Sequence, residues 1–178
     1  MSKIILDSDG LINLKKAGLL SALVDRHKCL IPKAVYKETV TRGKKELYED
    51  AFGIEEIVEE NIECKQAKKS DESEQVLESK DPTTLGKGEK QTLRLHFQEK
   101  GDAVISDDRT FLNLLVRYNQ EGESKKVAFM TLANVIVAMA DKEIITADKA
   151  KRGLNKIKDL IRDSSYQTAL EELKGGGD

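Results

Sequence analysis

Short runs of apolar residues alternate along this chain with longer stretches in which apolar residues recur every three or four positions. The runs are Ile4 to Leu6, Cys29 to Ile31 and Ala103 to Ile105. Short unbroken apolar runs are typical of parallel strands covered on both faces. Between the first two runs, Leu11 to Val24 follows a helical pattern that Gly18 interrupts. The pattern therefore predicts an α/β fold, with helices on both sides of a mostly parallel sheet.

The same pattern predicts the later elements of the chain. Pro32 is expected to begin the second main helix, since its missing N–H costs nothing there. Further elements are a helix around 111–117, a strand at 127–130, a helix through 135–140, and two C-terminal helices that Ser164 and Ser165 separate, with Thr146 as N-cap of the first. We predict one domain over 1–174 and a flexible tail at 175–178.

The segment 43–82 has the least distinct pattern and is expected to be a variable insertion or a lid. Within it, the pattern allows a helix at 45–52, a strand at either 54–58 or 62–64, and a polar helix after Ser70. Its charged stretches are interpreted as solvated faces and loops.

Composition excludes several classes of protein. The chain of 178 residues has 30 Lys and Arg against 32 Asp and Glu, so a generally basic nucleic-acid-binding surface is excluded, although a local basic rim is compatible with this balance. Two cysteines and two histidines form no zinc-binding pattern, and they favour a reduced, cytoplasmic location. No apolar run is long enough to span a membrane.

Acidic residues follow two of the predicted strands directly. Asp7 and Asp9 come after the first strand, and Asp107 and Asp108 come after the run that ends at Ile105. Because ligands of parallel α/β sheets bind at the carboxyl ends of the strands, these acids are candidates for a functional site.

Two glutamates on predicted helices are further candidates. Glu38 shares a helix face with Ala34 and Val35, and Glu89 heads a row of i, i+4 positions that continues with apolar residues. Each also has a structural explanation: Glu38 as a border residue of the apolar face, and Glu89 as a first-turn acid that complements the helix dipole.

If these carboxylates converge, they need a counter-charge, because two like charges about 4 Å apart repel by about 4 kcal/mol at an effective dielectric near 20. Oxygen ligands without nearby His or Cys select a hard cation, Mg²⁺ or Mn²⁺. Such an ion activates water and neutralises the charge of a phosphodiester, which suits phosphodiester hydrolysis.

Four segments in this order resemble the PIN domain, the nuclease fold of many prokaryotic toxins of toxin–antitoxin pairs: LDSDGLINL, IPKAVYKETV, LGKGEKQTLRL and AVISDDRTF. The likeness is closer to a branch with an LxxGE segment and a DD doublet. It implies a three-layer α/β/α sandwich and a set of catalytic, metal-binding acids. These are Asp7, Glu38, Glu89 and the pair Asp107 and Asp108, of which either can be the ligand.

The resemblance also assigns supporting positions and includes one departure. Ser8 and Ser106 match small hydroxyl residues that support the site, whereas Asp9 stands where the family usually has Ser, Thr or Asn. Lys87, Lys90, Arg94 and Arg109 lie near the acids in sequence, and phosphate contacts or isolated surface positions both explain them.

The function implied by the resemblance is Mg²⁺- or Mn²⁺-dependent hydrolysis of single-stranded RNA, with an antitoxin protein and a second copy of the chain as possible partners. One alternative is a non-catalytic PIN-like subunit that binds RNA or protein. Another is a haloacid-dehalogenase-like phosphatase, because LDSDGLI also resembles the D-x-D-G opening of that family. The positions of Thr131 and the acidic doublet are in the wrong order for such a phosphatase.

Overall fold

The strands form a single parallel sheet. A computed structural model describes residues 1–78, 85–121 and 126–175. Its strands are β1 Lys3–Leu6, β2 Lys28–Pro32, β3 Ile62–Lys65, β4 Ala103–Ile105 and β5 Phe129–Met130. They are arranged in the order β3-β2-β1-β4-β5, and every neighbouring pair is parallel. The predicted α/β fold with a central parallel sheet is confirmed.

Helices connect the strands and cover both faces of the sheet. They are α1 Ser8–Ala17, α2 Leu20–Val24, α3 Lys33–Tyr36, α4 Gly43–Lys45, α5 Glu49–Asn61, α6 Asp71–Glu78, α7 Lys87–Glu99, α8 Arg109–Glu121, α9 Leu132–Asp141, α10 Ala147–Ile157 and α11 Asp163–Gly175. A π-helical segment, Lys37–Arg42, joins α3 to α4. As predicted, Gly18 separates the first two helices, and its left-handed φ of 73° caps α1.

The alternation of side chains along each strand produces two hydrophobic cores. On β1, Ile4 and Leu6 belong to a core with α1, α9 and α10, whereas Ile5 belongs to a second core with α7 and α8. Successive strand residues point to opposite faces of the sheet, so a buried strand needs apolar residues at every position. The chain therefore forms the expected three-layer α/β/α sandwich.

The segment 43–82 contributes a strand to the sheet and a helix that packs on it. Helix α5 occupies the candidate strand 54–58, and Ile54 and Val58 are both buried, as residues four apart on one helix face should be. The other candidate strand, 62–64, is confirmed as the edge strand β3, which pairs with β2. The predicted helix at 45–52 has the wrong bounds: α4 ends at Lys45, and a longer helix, α5, begins at Glu49 and includes residues 49–52.

Other boundaries also differ from the prediction. Pro32 ends β2 and precedes the first residue of α3, and β5 is shorter than the predicted strand at 127–130. Ser164 and Ser165 lie in the first turn of α11, so they do not separate the C-terminal helices. Thr146 caps α10 as predicted, by accepting a 3.2 Å hydrogen bond from the Lys149 N–H.

The structure leaves some predicted regions outside its described residues. These are the last residues of the segment 43–82 and most of the predicted tail, since only Gly175 of the tail is described, at the end of α11. Within the described part of the chain, no helix is both long enough and apolar enough to cross a bilayer.

Candidate active site

Asp7 lies where β1 passes into α1. It is the N-cap of the helix, and its Oδ1 accepts a 2.6 Å hydrogen bond from the Gly10 N–H. Its side chain is only 3% exposed. A Cβ at Gly10 would lie 2.9 Å from both Asp7 Oδ1 and the Ile105 carbonyl oxygen, so only glycine fits here without displacement. This close approach brings the start of α1 against the end of β4.

The register between β1 and β4 places the polar residues that follow the two strands side by side. Leu6 pairs with Ile105, so Asp7 and Ser106 follow the two strands at adjacent positions. Ser106 is fully buried, and its hydroxyl hydrogen-bonds to the Asp7 carboxylate. Ser106 Oγ also accepts a 3.1 Å hydrogen bond from the Asp108 N–H. Ser106 thus links the acids of the two strands.

Glu38 reaches the same region from the π-helical segment. The Ser8 hydroxyl donates a 2.7 Å hydrogen bond to Glu38 Oε2, which ties this exposed glutamate to α1. On the other side, a Cβ at Gly88 would lie 2.5 Å from the same oxygen. Ser8 and Gly88 therefore bring Glu38 between the first turns of α1 and α7.

Glu89 lies in the first turn of α7 and is partly buried. Its Oε2 is buried and has no hydrogen-bond partner among the described residues. Burial raises the pKa of Glu89, and the charges of Asp108 and Glu38 raise it further, against backbone hydrogen bonds at Glu89 and Gly86 that lower it. This effect requires Glu38 and Asp108 to lie near Glu89.

The two acids of the DD doublet have different surroundings. Asp108 caps α8 by accepting a 2.7 Å hydrogen bond from the Phe111 N–H, and its charge raises the pKa of both Glu89 and Asp9. Asp107 instead accepts a 3.2 Å hydrogen bond from the Leu132 N–H at the start of α9. Asp108 thus lies nearer the other acids, and Asp107 faces α9.

Burial and nearby negative charges raise the pKa of Asp7 and Asp107. Burial raises the pKa of Asp7 to about 7, with smaller increases from Asp9 and Glu89, while hydrogen bonds from Ser106 and Gly10 lower it. Burial also raises the pKa of Asp107 to about 6, against a lowering by the hydrogen bond from Leu132.

Asp9 belongs to the same electrostatic group, although its side chain is exposed on the first turn of α1. Desolvation raises its pKa first, followed by the charges of Asp108 and Glu38. The structure therefore brings together the five acids predicted as metal ligands and Asp9, which the sequence analysis had placed among the candidates. We name this set of Asp7, Asp9, Glu38, Glu89, Asp107 and Asp108 the acid cluster.

The donor set of the acid cluster fits a hard divalent cation. Glu89 Oε2 and Asp107 Oδ2 are buried without a hydrogen-bond partner in the described part of the chain, and such oxygens are suitable metal ligands. Among these residues no three His, Cys, Asp or Glu side chains already have metal-ligating geometry. Ion binding would therefore require rotation of the carboxylate side chains, and it would relieve their repulsion.

A comparison with protein families gives an independent result. Residues 3–174 match the family model described as a PIN domain. The chain belongs to the PIN-domain family. PIN domains are generally nucleases, and they typically use divalent metal ions. The match does not support the alternative of a haloacid-dehalogenase-like phosphatase, whose likeness is limited to the opening segment. Searches of curated proteins and of solved structures found no match.

The cations near the acid cluster of this PIN domain differ in their partners. Arg94 forms a bidentate pair with Glu74, at 2.7 and 2.9 Å, and is thus engaged within the fold. Lys87, Lys90 and Arg109 form no ion pair with a described residue. The structure therefore removes Arg94 from the candidates for phosphate contact.

Sequence reasoning missed two features that bring the acids together. Gly88 permits the approach of α7 to Glu38, a role that its place in the LxxGE segment did not reveal. The other is the π-helical geometry at Lys37–Arg42, which contains Glu38 and departs from the α-helical spacing used to place it on the face of Ala34 and Val35. π-Helical turns frequently occur at functional sites.

Proposed function

We propose that this PIN domain is a Mg²⁺- or Mn²⁺-dependent ribonuclease that hydrolyses phosphodiester bonds of single-stranded RNA. In this proposal Asp7, Glu38, Glu89 and Asp108 hold the ion. The observation that supports it is the electrostatic coupling of these acids, which come from four separate parts of the chain. Uncompensated, this arrangement is unfavourable to folding, and a divalent cation compensates it.

Each residue has a separate task in the proposed reaction. A bound divalent ion would neutralise the charge of the phosphodiester and activate water for the attack. Ser106 and the Gly10 N–H orient the Asp7 carboxylate, and Ser8 orients Glu38. These hydrogen bonds keep the two carboxylates close to the other acids, so that binding of an ion needs only their local rotation.

The biological setting is part of the same proposal. The resemblance to the toxin branch predicts that the chain is the toxin of a toxin–antitoxin pair, that a small antitoxin protein blocks the acid cluster, and that the chain forms homodimers. Under this proposal, production of the active chain in a bacterium arrests growth.

The change Asp7→Asn tests the metal-dependent reaction. Asparagine keeps an oxygen that can accept the hydrogen bond from the Gly10 N–H, so α1 should stay capped, but it removes the charge that would hold the ion. Because loss of residues that only support metal ligands costs about 10- to 100-fold, we expect at least about a hundredfold lower rate. The measurement is cleavage of labelled single-stranded RNA with Mg²⁺, with Mn²⁺ and with EDTA.

Asp25→Asn is the matched control, since this exposed aspartate lies at the end of α2, outside the acid cluster. It should cleave RNA and arrest growth like the unaltered chain. Equal cleavage by Asp7→Asn and Asp25→Asn would contradict the assignment. RNA binding without cleavage under either ion would instead support a non-catalytic PIN-like binding subunit.

A further inference from the structure

A separate cavity adjoins the acid cluster on the side of Asp107. Its volume is about 310 Å³, and it lies between the first turn of α8, the start of α9 and the segment that joins α10 to α11. The polar residues that line it are Asp107, Arg109, Thr131, Asp159, Arg162 and Ser165. Because Asp107 belongs to both, a ligand in this cavity would lie directly beside the acid cluster.

Two arginines from different elements line the cavity, and their guanidinium groups form no ion pair with a described residue. Arg109 begins α8, and Arg162 immediately precedes α11. Both are exposed, and neither guanidinium has a hydrogen bond or ion pair with any residue that the structure describes. The planar donor fork of arginine matches the oxygens of a phosphate group.

Three cations on the side of Glu38 form ion pairs with carboxylates. Lys16 pairs with Asp50 at 3.7 Å, Arg42 with Glu46 at 2.6 Å, and Lys44 with Glu55 at 2.7 Å. A polyanion that approaches from that side would have to compete with these pairs. Approach along the cavity with the two arginines avoids this competition.

Two hydroxyl groups add donors to the same cavity. Thr131 Oγ1 accepts a 3.3 Å hydrogen bond from the Asn134 N–H, so its own O–H remains able to donate. The Ser165 hydroxyl has no hydrogen-bond partner among the described residues. The cavity therefore combines two cationic forks with two neutral donors.

The carboxylates of the cavity do not occupy these donors. Asp107 Oδ1 already accepts the Leu132 N–H, and the positive charge of Arg162 partly offsets the charge of Asp107. Asp159 is exposed, and it forms no ion pair within 4.0 Å with either arginine. The arginines thus remain available to an external anion.

We propose that this cavity binds a backbone phosphate of single-stranded RNA next to the phosphodiester that lies at the acid cluster, with Arg109 and Arg162 as its main ligands. This inference rests on the proposed ribonuclease function, and it gives that function a second point of contact with the substrate. Contacts with phosphate position a nucleic acid without reading its sequence, so the cavity fixes the placement of the chain rather than the choice of base.

The test measures RNA binding separately from cleavage. Binding of a labelled single-stranded RNA is measured by fluorescence anisotropy in the Asp7→Asn background, between about 50 and 200 mM salt. The double change Arg109→Ala and Arg162→Ala is compared with Arg117→Ala and Arg152→Ala, which remove two exposed arginines of α8 and α10 from outside the cavity. Far-UV circular dichroism checks that both double variants are folded.

We expect weaker binding only for the first double variant. Its slope of log K against log salt should decrease by about 0.7, since the two arginines neutralise one phosphate and each neutralised phosphate of a single strand contributes about 0.7. An equal slope in both double variants would overturn the proposal while leaving ribonuclease activity to be judged by cleavage. Conversely, a selective loss of slope in a chain that never cleaves RNA would retain the cavity and reject the proposed function.

Competition with inorganic phosphate tests whether the cavity binds a phosphate group of RNA or a small phosphorylated ligand. Displacement of RNA by phosphate from the Arg117→Ala and Arg152→Ala control, but not from the first double variant, would support occupation of the cavity by a phosphate group of RNA. Phosphate binding that depends on Arg109 and Arg162, together with no detectable RNA binding, would overturn the proposal in favour of a small phosphorylated ligand.

Discussion

Asp107 and Asp108 are adjacent and of the same type, but their surroundings differ. Asp108 caps α8, and its charge raises the pKa of Glu89 and Asp9. Asp107 instead accepts a hydrogen bond from the Leu132 N–H at the start of α9, and the charge of Arg162 lowers its pKa. Their side chains diverge because each accepts a backbone N–H from a different helix. For this reason we propose Asp108 for the ion site, whereas Asp107 also lines the proposed phosphate cavity.

His96 is a second residue whose surroundings define its chemistry. It lies on the buried face of α7, with 7% of its surface exposed, and its Nδ1 has no hydrogen-bond partner among the described residues. Burial lowers its pKa to about 4, against a smaller increase from Asp102. The imidazole is therefore neutral in the folded chain at neutral pH.

This environment predicts a loss of stability in acid that depends on His96. The folded-state pKa lies below the ordinary histidine value of 6.5, so the unfolded chain binds a proton first as the pH falls. The contribution is complete above pH 6.5 and is lost as the pH falls towards 4, with a magnitude of about 3 kcal/mol. Urea unfolding of the unaltered chain and of His96→Gln at several pH values measures it.

The variant should lose less unfolding free energy than the unaltered chain between pH 6.5 and 4. Carboxyl groups titrate in both proteins, so the difference between the two curves isolates the imidazole. Parallel curves would show that His96 is not a buried neutral group.

At the scale of the element, the first turn of α7 forms one wall of the acid cluster. This turn brings Glu89 to the site and places Gly88 against Glu38, where a Cβ would lie 2.5 Å from Glu38 Oε2. Leu93, one turn further along α7 than Glu89, is fully buried and anchors this helix in the second core. The helix is thus positioned by its apolar face, while its N-terminal turn meets the acids.

Gly88→Ala should lower the rate of RNA cleavage without lowering the stability of the fold. The new methyl group displaces the Glu38 carboxylate, and a misplacement of about 1 Å at a reacting site costs on the order of a hundredfold in rate. Stability should remain equal or increase by up to about 1 kcal/mol, because alanine is a better helix former than glycine. RNA cleavage and thermal unfolding measure the two effects.

Gly175→Ala is the matched control, because a Cβ there meets no atom within 4 Å. It should leave cleavage unchanged. Full activity in Gly88→Ala would indicate that the position of Glu38 tolerates a methyl group, and it would weaken the role proposed for this glutamate.

The sequence predicted those elements whose physical signal is local. Runs such as Ile4 to Leu6 identify central strands, because a strand covered on both faces needs apolar residues throughout. The start of α5 was missed because Leu47 adopts a left-handed φ of 60°, a conformation that leucine does not favour and that no pattern signals. Glu38 was selected by α-helical spacing, yet the side chain is carried by a π-helical segment and its contacts depend on tertiary structure.

At the scale of the whole molecule, the sheet joins two cores that together support the site. The core on one face includes residues of the C-terminal helices, and Leu154 of α10 is fully buried there. Helix α10 packs against α1, the helix that Asp7 caps. The C-terminal region thus supports the start of the chain, where the acid cluster begins.

Leu154→Ala should destabilise the chain as a whole. Removal of a fully buried leucine side chain costs about 2–5 kcal/mol, and the loss should appear in one cooperative unfolding transition if the chain is the single domain that we predict. Urea unfolding followed by far-UV circular dichroism and by tyrosine fluorescence tests both expectations.

Leu160→Ala provides the comparison, since Leu160 follows α10 and its side chain is 47% exposed. Its cost should be within about 0.5 kcal/mol. A second transition that Leu154→Ala leaves unchanged would show that part of the chain unfolds independently.

The π-helical segment at Lys37–Arg42 makes the position of Glu38 sensitive to chain length. A turn closed by i→i+5 bonds contains one more residue than the corresponding α-helical turn. Loss of a single codon there would let the backbone revert to regular helix, and the carboxylate would point elsewhere although no acid had been replaced. Under the proposed function, gene variants of this kind would retain every acid of the site and still encode an inactive protein.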